Sequence, residues 1–355
     1  MGKFQIKGRE ISDTAPVYFI ADIASNHNGD LGMAKALICS AKEKGADAVK
    51  FQHFLADKIV SDYGFKRLGR KLSHQSSWDK SVFDIYRQYE CNRNWLAELA
   101  QTAQDQRVDF LSTPYDFEAI DLLDDYVPAF KIGSGDITWL ELIEKVAKKN
   151  KPVMLATGAS TMEDVQRAMA VLLTFSRNIV LMQCNTNYTG ESGNLGHINL
   201  NVLTTYRQCF PDCILGLSDH THGCTTVLGA VALGARVIEK HYTLDNSLPG
   251  PDHPFSMNPA SWKEMILKTR ELESALGDGR KTVERNEKES FIVQRRCLRY
   301  AKDIQRGTIL TPDAIEALRP LVDNCIHPFE IDSVLGKTVK ADKLFGEPLI
   351  YQELE

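Results

Sequence analysis

The sequence predicts an α/β protein: a closed (β/α)8 barrel followed by a small β-rich C-terminal domain. Three observations predict it. Short β-rich runs alternate with helical patterns eight times between residues 17 and 276, and such alternation implies a parallel sheet with right-handed crossovers. A polar residue stands at the C-terminal end of every run, as expected where eight strands converge on one barrel mouth. The alternation then gives way at 277–290 to the polar, charged, aperiodic stretch GDGRKTVERNEKES.

The runs are 17–22 (VYFIAD), 47–52 (DAVKFQ), 109–113 (DFLST), 129–133 (AFKIG), 152–157 (PVMLAT), 179–185 (IVLMQCN), 213–218 (CILGLS) and 235–241 (ARVIEKH). Apolar residues dominate the early part of most, as buried parallel strands require. In 31–44, Leu31, Ala34, Leu37, Ile38 and Ala41 recur at helical spacing, and Gly45 follows at a C-cap position. Further helical patterns cover about 94–107, 116–124, 137–149, 161–174, 197–209, 223–233 and 260–276. A doubly wound open sheet would gather its ligand residues at one switch point; here they are spread around all eight runs.

Composition sets outer bounds. The 355 residues are 43% hydrophobic and 25% charged, which is ordinary for a soluble globular chain. A formal net charge of −5 gives no general reason to bind nucleic acid, so an anionic ligand needs a local basic site. No run reaches transmembrane length, no apolar signal core is visible, and Ile6 stands where a myristoylation start wants Ser or Thr. The eight cysteines form neither a paired framework nor a zinc ribbon; Cys209 and Cys213 are the closest pair. A cytoplasmic protein with reduced thiols is expected.

In run order, the C-terminal ends carry Asp22, Lys50 with Gln52, Thr113, Lys131 with Ser134, Thr157, Asn185, Ser218 with His220, and His241. His220 and His241 end adjacent strands, within reach of one cation; imidazole suits Mn, Zn or Fe, and two ligands leave positions open for substrate and water. Hydrogen-bonded rim histidines are the alternative. Lys50 and Lys131 lie inside strand runs, where a charge is costly unless paired. Lysines so placed form a Schiff base or hold an anion, and with Ser134, Thr157, Asn185 and Ser218 around them a phosphate and carboxylate cradle fits. Gly133 and Gly135 flank Ser134 and would admit an anion to the backbone, although an ordinary βα turn explains GSGD equally well. Asp22, Asp136, Asp219 and Asp252 are the acidic candidates. His27 is expected to orient its loop or touch substrate, and His222 and His253 to face solvent.

The segments ADIASNHNGD, GADAVKFQ, FLSTPYD, PAFKIGSGD, PVMLATG, QCNTNY, GLSDHT, GAVALGARVIEKH and GPDHPFSMNP fall in order across residues 17–258. Together they resemble the sialic acid synthase family, which includes N-acetylneuraminate, legionaminic acid and pseudaminic acid synthases. The resemblance implies a TIM barrel with a C-terminal antifreeze-like (SAF) domain, working as a domain-swapped homodimer. It also implies condensation of phosphoenolpyruvate with the open-chain aldehyde of an N-acetylated amino sugar, without a Schiff base. Carried onto this chain, His220 and His241 would bind Mn2+ or Mg2+. Lys50, Thr113, Lys131, Ser134, Thr157, Asn185 and Ser218 would hold phosphoenolpyruvate. Gln52, Asp136, Tyr188 and Asp252 would contact the sugar, and Asp22 would act with Lys50 and Lys131 in catalysis by guiding water.

Three departures lie on the sugar side. Asp22 and Asp136 stand where Glu is common in the family, His53 stands where Thr is frequent, and 57–90 is an unusual stretch rich in Ser, Tyr and charge. The expected domains are 1–280, a linker at 281–290, and 291–355. Within the last, RGTILTPDAI and FGEPLIYQEL share a G-x-x-[IL]-x4-[IL] spacing. This piece resembles the SAF domain and places Arg319 where the family supplies an arginine to the partner's sugar site. A metal-dependent barrel aldolase or hydrolase, and a non-catalytic sugar-binding protein, are the rival readings; the second would be marked by loss of Lys50, Lys131 or a metal histidine, and none is lost.

Overall fold

The computed structural model describes residues 2–72, 75–76, 78–188 and 192–355, and the chain divides into two compact units, Met1–Gly277 and Asp278–Glu355. The first unit opens with a hairpin absent from the predicted runs, β1 (Lys3–Ile6) with β2 (Arg9–Ser12). There follow β3 (Tyr18–Asp22), α1 (Leu31–Glu43), β4 (Ala48–His53), α2 (Ala56–Ile59), α3 (Asp62–Arg67), α4 (Val82–Gln88) and α5 (Leu96–Asp105). Next come β5 (Asp109–Pro114), α6 (Phe117–Asp124), β6 (Phe130–Ile132), α7 (Leu140–Ala147), β7 (Val153–Ala156) and α8 (Met162–Phe175). β8 (Ile179–Cys184), α9 (Val202–Cys209), β9 (Ile214–Asp219), α10 (Thr225–Ala232), β10 (Ala235–His241) and α11 (Pro259–Leu276) complete the unit.

The strands from β3 to β10 close into a parallel barrel in the order β10-β3-β4-β5-β6-β7-β8-β9. Each coincides with a predicted run to within one residue at either end. Local chemistry starts the helices where they start. Asp30 accepts from the Met33 N–H at the head of α1, Thr161 and Asp164 form a reciprocal capping box on α8, and Asn258 with Ser261 does the same for α11.

Alternation along each strand sorts the core into two layers. Outward residues such as Phe19, Val49, Phe51, Phe110, Leu155 and Leu215 pack under the helices. Inward residues, among them Tyr18, Ile20, Leu111, Met154, Val180 and Val237, fill the lower barrel, where Phe4, Ile6 and Ile11 of the hairpin join them. Gly216 belongs to this inner layer for lack of space: a Cβ there would stand 2.9 Å from the Val237 carbonyl oxygen and from Met182 Cγ. The filled lower barrel leaves the C-terminal mouth as the place for ligand chemistry.

The second unit contains α12 (Lys288–Gln294), β11 (Cys297–Tyr300) and β12 (Ile315–Leu318), with β11 and β12 antiparallel. The stretch expected as an aperiodic linker is therefore partly helical, its approach set by the Glu284–Glu287 capping box. The internal pseudo-repeat is structural. Gly307 and Gly346 both adopt left-handed φ, 85° and 84°, while Leu310, Ile315, Leu349 and Leu354 all enter one buried cluster. Among the described residues, no helix is long and apolar enough to cross a membrane.

Three histidines serve the barrel framework. His253, expected at the surface, is fully buried and meets Thr243 Oγ1 at 2.6 Å and Asn28 Oδ1 at 3.2 Å. The loop it lies on folds down onto the SNHNGD turn, which the polar sequence of both segments does not reveal. His27 accepts from the Gly29 N–H and packs near Phe51 and Trp95. Ser112 donates to the Phe51 carbonyl, so His53 Nδ1 donates to Ser112 Oγ at 2.7 Å. Burial pushes His27 down to about 4 and, with Arg93 nearby, His53 to about 3. In the unfolded chain each would protonate near 6.5. The unfolded state thus binds more protons below 6.5, and the stability these groups confer, fully present above 6.5, is lost as pH falls through that window. A His53→Gln variant is expected to lose less melting temperature than the parent between pH 6.5 and 4.5, a difference of up to about 1.4 kcal/mol per pH unit. Equal slopes in calorimetry would contradict the assignment.

Candidate active site

The mouth of the barrel holds a cavity of about 400 Å³, within the usual size for a small-molecule site. The period of two that fills the lower barrel also decides what lines this cavity. Above inward Ile20 comes Asp22; above Ala48 come Lys50 and Gln52; above Leu111 comes Thr113; above Ala129 comes Lys131. Ser218 with His220 and Glu239 with His241 rise in the same way above Ile214 and Val237.

Two buried ion pairs occupy its floor. Lys50 and Asp22, each 2% exposed, meet at 2.9 Å. Lys131 meets Glu239 at 3.2 Å, and Glu239 also lies 3.9 Å from Lys50 and accepts from Ser218 Oγ at 3.1 Å. Gln52 donates to Asp22 at 3.0 Å, and the Ala24 N–H donates to its other oxygen at 3.1 Å. Burial alone would raise the Asp22 carboxyl; Lys50, His241 and Lys131 outweigh it and hold Asp22 below the ordinary range. Burial works against the Lys50 ammonium, but Asp22 and Glu239 raise its pKa on balance. Asp136, with Lys131 as its counterweight, is pushed up to about 6 by burial. Glu239 Oε2, Asp136 Oδ2 and His241 Nδ1 are buried with no hydrogen-bond partner, which is unusual enough to mark them for ligand.

His220 and His241 stand side by side, ring centroids 5.3 Å apart, packed by Tyr188 and Phe255. His220 Nδ1 donates to the Asn185 carbonyl at 2.7 Å, which leaves Nε2 as its free donor atom for a metal. Among the described residues no group of three or more His, Cys, Asp or Glu forms a metal cage. The donor set is two imidazoles, with Asp22 at 3.5 Å and Asp252 at 3.8 Å from His241. That set fits a divalent cation whose other positions are left to substrate and water.

Most of the expected residues converge here. Besides those named, Ser134 lines the cavity and accepts from the Gly158 N–H at 2.9 Å, Tyr188 lies against His220, and Asp252 is held by the N–H and hydroxyl of Ser25. Two do not. Thr157 is spent in the barrel wall, donating to the Met182 carbonyl and accepting from Tyr206. The Asn185 side chain turns to the His197 carbonyl. Arg319, expected at a partner's site, belongs to the second unit and is exposed there. Asp219 faces the opposite way, buried with Lys240, Thr221 and Thr226. Glu239, Cys184 and Ser25 line the site without having been predicted, as do Phe54, Ile59, Trp78, Ile85, Tyr86, Tyr89 and Tyr115. The signal for those from Phe54 to Tyr89 was the length of 53–94, well beyond an ordinary βα connection, whereas Tyr115 lies on the turn after β5.

Removing one partner of a buried pair strands the other charge. Asp22→Ala is expected to cost about 3 kcal/mol in urea unfolding; an unchanged midpoint would show that Lys50 does not depend on it.

Comparison with known proteins agrees with this architecture. The NeuB family matches residues 37–281 and the SAF domain 295–355. An N,N'-diacetyllegionaminic acid synthase of Campylobacter jejuni is 36% identical over 92% of this chain and 98% of its own. The N-acetylneuraminate-9-phosphate synthase of Homo sapiens is 32% identical over 97% and 95%. The crystal structure of an N-acetylneuraminic acid (sialic acid) synthetase from Leptospira borgpetersenii superposes with a TM-score of 0.71 at 26% identity, covering 81% of this chain and 94% of that one. These relatives are synthases and this chain is an enzyme of that kind. It belongs to the NeuB family and ends in a SAF domain.

Proposed function

We propose that the enzyme condenses phosphoenolpyruvate with the aldehyde of an N-acetylated amino sugar, N-acetylmannosamine or a diacetamido hexose, giving a nine-carbon 2-keto sugar acid and phosphate. The observation that carries this reading is the floor of the cavity: two buried lysines, each balanced by a carboxylate, beside two histidines with room for a cation. The names of the relatives agree with it.

Lys50 and Lys131 hold the anionic phosphoenolpyruvate, with Thr113, Ser134 and Ser218 around it. Asp22 and Glu239 keep both ammonium groups fixed before substrate arrives, so little reorganisation is needed on binding. When bound at His220 and His241, a divalent cation, Mn2+ or Mg2+, supplies Lewis-acid polarisation of the aldehyde and some of the positive charge the substrates need. C3 of phosphoenolpyruvate bonds to the aldehyde carbon, whose oxygen becomes an alkoxide and takes a proton. The double-bond electrons leave C2 electron-poor and oxocarbenium-like. Asp22, kept ionised by Lys50, orients the water that adds there, and one water proton balances the proton taken by the alkoxide. The tetrahedral intermediate expels phosphate by C–O cleavage as the C2 hydroxyl gives its remaining proton to the departing phosphate, leaving the ketone. Placing both substrates in one cavity removes much of the entropic barrier.

The reading extends to a cytoplasmic, domain-swapped homodimer in which Arg319 serves the partner's sugar site. Eight free cysteines and the exposure of Arg319 support it.

Phosphate release from phosphoenolpyruvate is expected only when amino sugar and divalent cation are both present. His241→Ala is expected to abolish it while circular dichroism and melting temperature stay near the parent's. Full activity in the metal-stripped variant would overturn the metal assignment, and release without sugar would favour a hydrolase.

A further inference from the structure

Two thiols that lie far apart in the sequence meet in the second unit. Cys297 and Cys325 are both free, and their side chains hydrogen-bond to each other. Cys297 stands on β11 opposite Leu318 of β12. The chain leaves β12 at Leu318, passes through Arg319, and comes back beside β11 at Cys325; the carbonyl of the next residue, Ile326, accepts from the Leu298 N–H at 2.8 Å. Both feet of the 319–324 loop therefore rest against Cys297. Its thiol also donates to the Pro320 carbonyl at 3.4 Å, an oxygen that Arg299 Nη2 reaches at 2.6 Å. Cys297 is fully buried, whereas Cys325 is half-buried and open to a small reagent.

We propose that Cys297 and Cys325 form a reversible modification site, which a small-molecule disulfide oxidises to an intramolecular disulfide that pins the 319–324 loop at its base. Access sets the order of events. The Cys325 sulfur attacks one sulfur of the reagent, the reagent's S–S bond breaks, and the departing thiolate takes the Cys325 proton. The Cys297 sulfur then attacks the mixed disulfide at Cys325, and the second reagent thiol leaves with the Cys297 proton. Two protein thiols are oxidised and one reagent disulfide is reduced to two thiols. Burial and the neighbouring Cys325 sulfur push the Cys297 thiol up, against a smaller pull from Arg299, so Cys297 is a poor first nucleophile. Contact with the mixed disulfide offsets that, because the second step is intramolecular. The sulfurs must close from hydrogen-bond contact to about 2 Å, a movement that the loop can supply. Paired thiols in a reducing compartment suit sensing rather than permanent cross-linking. Oxidation also removes the S–H that Cys297 gives to Pro320, so the residue next to Arg319 exchanges a hydrogen bond for a covalent tether nearby. The site stands apart from the synthase reading, and only the bearing on Arg319 as a sugar-site residue rests on it.

The test uses the full chain, equilibrated in a series of reduced and oxidised glutathione mixtures, quenched in acid, alkylated with N-ethylmaleimide and mapped by peptide mass spectrometry. A cross-linked peptide pair joining Cys297 to Cys325 is expected in the oxidising mixtures, replaced by two alkylated cysteines when excess reduced glutathione is added back. Cys297→Ser is expected to stop at glutathione on Cys325, and Cys325→Ser to leave Cys297 unreacted. Amide hydrogen exchange across 319–324 is expected to slow severalfold in the oxidised chain. Alkylation of both cysteines in every mixture overturns the proposal, as does a parent chain in which Cys325 stops at the mixed disulfide. Glutathione on Cys297 in the Cys325→Ser chain overturns the order of attack, and unchanged exchange across 319–324 overturns the tether. None of these results touches phosphate release from phosphoenolpyruvate, so the synthase reading is judged separately.

Discussion

The barrel mouth is organised by a requirement that no strand can escape: an ammonium group buried in a protein must have a partner. Lys50 and Lys131 project inward from β4 and β6, and Asp22 and Glu239 rise to meet them from β3 and β10. Four strands must therefore keep their register for the charges to balance. A pocket of paired charge is also prepared for an anion, because the dipoles and ions are in place before it arrives. Stability and chemistry draw on the same four side chains.

Behind this floor a second pair does the complementary work. Asp219 and Lys240, each 1% exposed at the side chain, join β9 to β10 on the outer face, with Thr221 and Thr226 completing the network. Each lies one residue before a cavity histidine, so a link on the outer face fixes His220 and His241 on the inner one. Loops are tied as firmly. Asn26 donates to the Tyr242 carbonyl and to Ser256, and Ser25 holds Asp252. The loops after β3 and β10 form one rim, aimed by hydrogen bonds rather than by packing.

Strand positions were legible in the sequence because buried parallel strands write themselves as apolar runs, and the polar residues closing those runs marked the mouth. What a list of strand ends lacks is phase. Thr157 and Asn185 close their runs as plainly as Ser218 does, yet each is one step out of the inward set, Thr157 turning into the wall and Asn185 to the His197 carbonyl. Glu239 has the right phase but sits between Ile238 and Lys240, where a carboxylate is as easily taken for a surface residue. His253 lies in a loop whose polar, proline-rich sequence reads as exposed, and only the tertiary fold shows that the loop is covered. The hairpin β1–β2 is too short to announce itself, and α2 to α4 carry a cavity wall that no strand pattern could foretell.

The account stands on the charged floor of the cavity making C2 of phosphoenolpyruvate the electrophile that water attacks. The most direct measurement uses phosphoenolpyruvate carrying oxygen-18 in the oxygen that bridges C2 and phosphorus, with amino sugar and divalent cation, and mass analysis of both products. Addition of water at C2 followed by C–O cleavage predicts that the label leaves with the inorganic phosphate. Label retained in the keto acid would mean cleavage between phosphorus and oxygen, and would contradict the roles given to Asp22, Lys50 and Lys131.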